Sequence, residues 1–67
     1  MKRRDLIARL RAEGCVLVRT VGRHDFYRNA ITGESRPVPR NSEVKEMTAR
    51  AIIRALSAPD GEGSEGK

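Results

Sequence analysis

The apolar residues of this chain first recur at helical spacing. Leu6, Ile7 and Leu10 lie three to four positions apart within residues 3–13, and arginines fill many of the other positions. This spacing predicts an amphipathic helix over residues 3–13. Gly14 follows directly, and glycine readily adopts the left-handed conformation that ends many helices.

The next apolar run is short and rich in β-branched residues, which is typical of a strand. Glycines and polar residues then interrupt the pattern, so we expect a chain that turns back on itself twice. The predicted elements are a strand over residues 15–20, a turn at 21–23, a second strand at about 24–28, a polar loop at 29–33 and a third strand at about 35–39.

Two prolines indicate where the third strand lies in the sheet. Pro37 and Pro39 are two positions apart, so both remove a backbone N–H donor from the same side of the strand. A strand with one donor-free side fits best at a sheet edge, with that side toward solvent. A meander in the order 1-2-3 gives the third strand this position.

The C-terminal part predicts a second helix. Residues 41–47 form a polar connection with at most a short helical turn, and Thr48 is a suitable N-cap. The apolar residues after it follow the i, i+3, i+4, i+7 pattern: Ala49, Ile52, Ile53 and Leu56. The predicted fold class is α+β, in the order α-β-β-β-α, with a three-stranded antiparallel sheet and both helices on one face. We expect a single domain over residues 1–57 and a disordered tail over residues 58–67.

The composition leaves little material for a core. The chain has 67 residues, of which 37% are hydrophobic and 3% aromatic. A domain of about 60 residues buries only about 60% of its unfolded surface. Chemistry therefore belongs on an open surface or in a groove, and a partner protein could stabilise the fold. Most of the burial is expected from Leu6, Leu10, Leu17, Val18, Ile52, Ile53 and Leu56.

The charge of the chain points to a polyanionic partner. Lys and Arg number 14 against 9 Asp and Glu, a net charge of +5, and most of the cations are arginines. Nucleic acid is the default partner of such a protein, because the guanidinium fork binds phosphate in a bidentate manner. A membrane surface ranks lower, since the arginines are spread over the chain instead of following one helix face.

Cysteine usage and hydropathy indicate the cellular compartment and the kinds of partner to expect. Cys15 is the only cysteine, so no internal disulfide forms, and a small apolar strand residue is favoured over a reactive nucleophile. One Cys and one His cannot build a structural zinc site, and we expect neither a metal nor a cofactor. No apolar stretch approaches the ~18 residues of a membrane span. A cytoplasmic protein without a membrane partner is therefore expected.

His24 is the strongest candidate for chemistry, because histidine is the residue type that both takes and gives a proton near neutral pH. RNA carries its own nucleophile, the 2′-hydroxyl, so a histidine general base can start its cleavage. Arg23 and Arg28 are the nearest arginines in sequence and could stabilise the phosphate charge. The general acid stays open among Tyr27, water and the newly protonated His24.

A structural role for this lone histidine is the competing interpretation. Strand alternation places His24 on the same face as Phe26, which ought to belong to the core. Either the turn rotates His24 outward, or Phe26 packs at an edge. Tyr27 is more often a half-buried packing residue than an acid or a platform for base stacking.

Several arginines could form a phosphate-binding track on the predicted strands, although a solvated sheet rim is the usual fate of such charges. The track is favoured over the rim, because only Asp25 and Glu34 on these strands offset the positive charge. Its candidate members are Arg19, Arg28, Arg36 and Arg40.

Four short motifs occur in an order that resembles the HicA-type mRNA interferase toxins. Each motif is common by itself, but their order and spacing in so short a chain are fairly specific, and the matching elements span residues 2–57. The motifs are Gly22-x-His24, Tyr27-Arg28, Val38-Pro39-Arg40 and Thr48-x-Arg50-x-Ile52.

The resemblance implies a fold like a double-stranded-RNA-binding domain and a metal-independent ribonuclease that cuts mRNA. It also implies a HicB-type antitoxin that binds and silences the protein, with a monomeric toxin and a larger hetero-oligomer in the complex. The family's catalytic histidine falls on His24. This sequence departs from the family at Arg23, where serine is usual, at Asp25, often a second histidine, and at Cys15, usually a larger aromatic residue.

A non-catalytic RNA-binding module, which reads shape and phosphates, is the alternative from another functional class. DNA binding ranks below both, because neither predicted helix presents Asn or Gln on a face suited to the major groove.

Overall fold

The computed structural model describes residues 1–57 and contains five elements. They are α1 (Arg3–Ala12), β1 (Cys15–Val21), β2 (His24–Asn29), β3 (Ser35–Pro39) and α2 (Glu46–Leu56). The predicted order α-β-β-β-α is confirmed. The predicted tail, residues 58–67, lies outside the described residues.

The strands form one antiparallel sheet in the order β1-β2-β3. The third strand therefore lies at an edge, as its two prolines predict. Pro37 is opposite Phe26, and Pro39 is opposite His24. The first turn is shorter than predicted, because Val21 belongs to β1 and only Gly22 and Arg23 connect the strands.

An irregularity in β1 changes which side chains face the helices. Leu17 pairs with Tyr27, but Arg19 pairs with Phe26, so Val18 is an extra residue in the ladder. Such a bulge reverses the alternation of side chains beyond it. Thr20 consequently lies on the helix-covered side, opposite Asp25. Without the bulge, alternation from Cys15 would have placed Arg19 and Val21 on that side instead.

Both helices pack on one face of the sheet, and the core lies between them and the strands. Leu6, Leu10, Ile52 and Leu56 are buried as predicted, whereas Leu17 and Val18 are 49% and 48% exposed, so their predicted place in the core was wrong. β1 is an edge strand, so its side chains have a neighbouring strand on one side only, which leaves Leu17 and Val18 open to solvent. The buried apolar residues are Leu6, Leu10, Cys15, Tyr27, Val38, Val44, Ala49, Ile52 and Leu56.

The predicted start of the second helix was also wrong. α2 begins at Glu46 with Lys45 as its N-cap residue, so Thr48 lies inside the first turns instead of capping them. Val44 explains the earlier start, because its side chain is buried and its N–H donates to the Met1 carbonyl at 2.8 Å. The chain is therefore anchored just before Lys45, and the helix follows at once.

Candidate active site

His24 is the first residue of β2 and directly follows the two-residue turn. Gly22 opens this turn with φ +60°, a conformation that suits glycine in a tight hairpin. Asp25 is buried on the helix-covered side, so the side chain of His24 points to the opposite, open face of the sheet. His24 is exposed, and within residues 1–57 its imidazole makes no side-chain hydrogen bond or ion pair.

Phe26 lies on the same open face and is half-buried, which settles the question that strand alternation raised. The guanidinium carbon of Arg19 lies 4.7 Å from the Phe26 ring centroid, a cation–π contact that covers part of the ring. Tyr27 takes the core position instead and is 4% exposed. The aromatic residue of the core is therefore Tyr27, and Phe26 belongs to the surface that carries His24.

A groove of about 540 Å³ runs beside His24, between the β3 edge and the first turns of α2. Its walls are mostly apolar, and Arg36 and the Thr48 hydroxyl add polar groups to them. The N-terminus of α2 opens toward it through Met47 and Thr48, and a helix N-terminus attracts negative charge. The groove is lined by His24, Arg36, Pro37, Pro39, Met47, Thr48, Ala51 and Ile52.

A hydrogen-bonded clamp fixes the surroundings of His24. Arg3 donates from Nη2 to Asp25 Oδ2 at 2.7 Å and from Nε to the Pro39 carbonyl at 2.8 Å. Thr20 Oγ1 donates to Asp25 Oδ1 at 2.7 Å, which the bulge in β1 makes possible. Because Asp25 is the chain neighbour of His24 and Pro39 is its cross-strand partner, the clamp holds both sides of the histidine backbone.

A second depression, which we name the basic cleft, lies where α1 begins and β3 ends. It has a volume of about 430 Å³ and is lined by Lys2, Arg3, Arg4, Arg40 and Ser42. Arg3 is committed to the Asp25 clamp, and Arg40 Nε lies 3.7 Å from Asp25 Oδ2. Arg40 was predicted to belong to the phosphate-binding track on the strands. Its position beside residues 2–4 was not predicted.

The other arginines predicted to bind RNA are spread over different surfaces. Arg36 lines the groove and forms an ion pair with Glu34. Arg23 is exposed in the turn before His24. Arg28 lies four residues along β2 from His24, about 13 Å at the rise of a strand, and its Nε donates to the Gly33 carbonyl at 3.3 Å.

Tyr27 faces away from His24. It lies on the helix-covered side of β2, buried among the core residues. The structure therefore separates the tyrosine from the groove, although the two residues are only three positions apart in the sequence.

Within residues 1–57, no three His, Cys, Asp or Glu side chains come together in a way that could hold a metal ion. None of the helices in this part of the chain has the length and apolar character needed to cross a bilayer.

A family model described as "HicA toxin of bacterial toxin-antitoxin" matches residues 3–57. The match covers every helix and strand of the fold, so the chain belongs to the HicA toxin family and is the toxin of a toxin–antitoxin pair. The element order and the single helix-covered face are consistent with the double-stranded-RNA-binding-domain-like fold that the resemblance implies. Comparisons with curated proteins and with solved structures gave no match.

Proposed function

We propose that this toxin is a metal-independent endoribonuclease that cleaves mRNA, with His24 as the general base. The observation that carries the proposal is the exposed imidazole, which has no partner among residues 1–57 and stands at the wall of a groove. A histidine with a structural role is usually buried with its ring nitrogens hydrogen-bonded within the fold, and within residues 1–57 His24 is neither buried nor bonded in this way.

In the proposed reaction, neutral His24 removes the proton of the RNA 2′-hydroxyl. The 2′-oxygen then bonds to the adjacent phosphorus, and the bond from phosphorus to the 5′-oxygen breaks. The products are a 2′,3′-cyclic phosphate and a 5′-hydroxyl end. Base catalysis of this kind contributes about 10²- to 10⁴-fold to the rate.

Positive groups around the groove stabilise the charge that builds on the phosphorane. Arg23 is the chain neighbour of His24, and the N-terminus of α2 adds its partial positive charge. Arg36 also lines the groove, but its charge is partly neutralised by the ion pair with Glu34. Tyr27 is buried on the other side of the sheet, so it is a poor proton donor to a substrate in the groove. We assign the protonation of the leaving 5′-oxygen to His24 in its protonated form or to water.

The apolar walls of the groove suit a nucleobase next to the scissile phosphate. Pro37 and Pro39 present rigid apolar rings from β3, and Met47, 79% exposed, presents a polarisable thioether from α2. A base between these walls would place its ribose beside His24. Thr48 offers a hydroxyl to a base edge or a phosphate.

The decisive experiment incubates purified protein with RNA in EDTA and compares it with His24→Ala. We expect the wild-type protein to cut and to leave cyclic or 3′-phosphate ends, and the variant to lose about 10²- to 10⁴-fold in rate at nearly unchanged RNA affinity. A strict need for Mg²⁺ with 5′-phosphate products would contradict the mechanism. Binding without cleavage by the wild-type protein would favour the non-catalytic RNA-binding module instead.

For the antitoxin, we propose an acidic HicB-type protein that covers His24 and the open face of the sheet. This face exposes apolar side chains, among them Val16 and Val21, beside Arg19 and Arg28, a combination that suits a protein interface with a charged rim. Because the partner binds only the folded toxin, the complex should melt at a higher temperature than the free protein. Charge reversal at Arg28 should weaken the complex, and a complex that leaves His24 fully exposed would contradict occlusion.

A further inference from the structure

We propose that the basic cleft binds a backbone phosphate of the RNA strand whose neighbouring phosphodiester lies at His24. The cleft is lined by Lys2, Arg3, Arg4, Arg40 and Ser42, and it shares no residue with the groove. This inference rests on the proposed ribonuclease function, since it assigns a second contact to the same substrate.

The positive charge in the cleft is only partly neutralised by the protein. The Asp25 carboxylate is already held by Arg3 at 2.7 Å, while Arg40 approaches it only to 3.7 Å and stays 57% exposed. Arg4 lies 4.0 Å from the exposed Asp5 carboxylate, too far for a hydrogen bond. Glu43 forms a backbone β-bridge with Lys2, and its carboxylate accepts a hydrogen bond from the Met1 ammonium at 2.8 Å.

The backbone holds the cleft in one shape before any ligand arrives. Lys2 and Glu43 form a β-bridge, and the Arg3 N–H donates to the Ser42 carbonyl at 2.8 Å. The two chain segments that carry the cations are therefore joined directly, although they are far apart in the sequence. Joining the two segments through the backbone lowers the cost of bringing their cations together around a phosphate.

The position of the cleft matches the path of a single strand that passes His24 and rounds the end of β3. Arg40 follows Pro39, which is the cross-strand partner of His24, so the Cα atoms of Arg40 and His24 lie within about 9 Å. The His24 side chain lies on the open face, whereas Arg40 approaches Asp25 on the helix-covered side. The clamp from Arg3 to Asp25 and to the Pro39 carbonyl keeps this separation fixed. A strand with one phosphate at His24 can thus place a nearby phosphate in the cleft.

A phosphate is favoured over an acidic side chain of the antitoxin because of the lining. Protein interfaces centre on apolar and aromatic side chains, and every residue of the cleft wall is charged or polar. Contacts between cations and phosphates, by contrast, are the contacts that fix the register of a nucleic acid on a protein.

The binding test uses the double variant Lys2→Gln/Arg4→Gln in the His24→Ala background, so that no RNA is cut. The probe is a fluorescent single-stranded RNA with 2′-O-methyl groups, and Arg3 stays in place to preserve the clamp. We expect the affinity to fall about tenfold and the slope of log K against log salt to fall by about 1.4, or about 0.7 for each cation removed. The matched control is Arg11→Gln/Arg54→Gln, two exposed arginines at the C-terminal ends of the helices, which should change affinity less than about twofold.

A cleavage arm separates this inference from the proposed function. With His24 intact, the double variant should cut a dinucleoside monophosphate at the wild-type rate but a longer RNA less efficiently, because only the longer substrate reaches the cleft. Equal losses of affinity in the cleft and control variants would overturn the inference. So would a loss of antitoxin binding with unchanged RNA binding. Failure of the wild-type protein to cut any RNA would refute the ribonuclease proposal, while the binding arm would still decide the role of the cleft.

Discussion

The groove and the basic cleft lie on either side of the end of β3, and they differ in the chemistry that they offer. The groove has apolar walls and carries His24, the one histidine of the chain. The cleft has no apolar lining and no side chain that exchanges a proton near neutral pH. The two surfaces therefore differ in the way that the two proposed tasks require, bond cleavage in the groove and positioning of a strand in the cleft.

Asp25 connects these two surfaces. Its carboxylate holds Arg3, which lines the cleft, and its backbone continues directly into His24. The proposed separation of tasks therefore depends on one buried carboxylate that links the two surfaces. Changes at Asp25 should affect both surfaces, and changes within one surface should affect only that surface.

The largest expected effect follows from removing this connection. Asp25→Ala leaves the partly buried Arg3 guanidinium and the Thr20 hydroxyl without their acceptor, and breaking such a pair costs about 3 kcal/mol in the free energy of unfolding. In a domain of this size, that loss lowers Tm by more than about 10 °C, which a thermal melt followed by circular dichroism would measure.

Asp5→Ala is the matched control, since its carboxylate is exposed and lies in the first turn of α1. Its loss should be below about 1 kcal/mol, the size of a helix-dipole contribution. Comparable Tm shifts in the two variants would contradict the role of the clamp. If Asp25→Ala does not fold, the milder Asp25→Asn should still show a larger Tm shift than Asp5→Asn.

The sequence predicts the elements of this fold well, because their signals are local. The apolar periodicity of α1, the glycine after it and the two prolines of β3 each act over a few residues, and all three predictions agree with the structure. The candidate histidine is recognised for the same reason, from its residue type and its place after a Gly-containing turn.

The structural features that could not be predicted from the sequence depend on contacts between distant segments. The bulge at Val18 has no distinct local signal, yet it decides that Thr20 reaches Asp25. The choice of Tyr27 over Phe26 for the core follows from which face the helices cover. Arg3 and Ser42, which help to form the cleft, are brought together only by the pairing of residues 2 and 43.

A smaller effect is expected from a change confined to the groove. Ala51 is exposed on α2 and lines the groove, so Ala51→Glu introduces a carboxylate beside the expected position of the substrate phosphate. Repulsion between unit charges about 8 Å apart costs about 2 kcal/mol at an effective dielectric constant of about 20. We therefore expect kcat/KM for RNA cleavage to fall roughly thirtyfold.

The matched control for Ala51→Glu is Ala12→Glu, at an exposed position in the last turn of α1 that lines neither the groove nor the cleft. Both variants change the net charge equally, so a difference between them reports on the groove and not on the overall field of the protein. Equal losses of cleavage in the two variants would show that the groove does not hold the substrate.

The smallest effects belong to Cys15, which is remote from both surfaces and packs at the end of α2. Its Sγ donates a weak hydrogen bond to the Leu56 carbonyl at 3.5 Å. Burial, and to a lesser extent the Glu13 carboxylate, raises the pKa of the Cys15 thiol above its ordinary value. The folded protein should therefore react with iodoacetamide at pH 8 much more slowly than the protein unfolded in urea, as measured by mass spectrometry.

The raised pKa also sets the sign of the pH dependence. Because the folded state disfavours the thiolate, the contribution of Cys15 to stability is intact below the ordinary thiol pKa of about 8.5 and declines as the pH rises beyond it. Cys15→Val should remove this alkaline decline and shift the free energy of unfolding at pH 7 by less than about 1 kcal/mol. RNA binding and cleavage should stay at wild-type levels in Cys15→Val. A loss of either would mean that the groove and the cleft depend on the opposite end of the molecule and are not the separate surfaces described above.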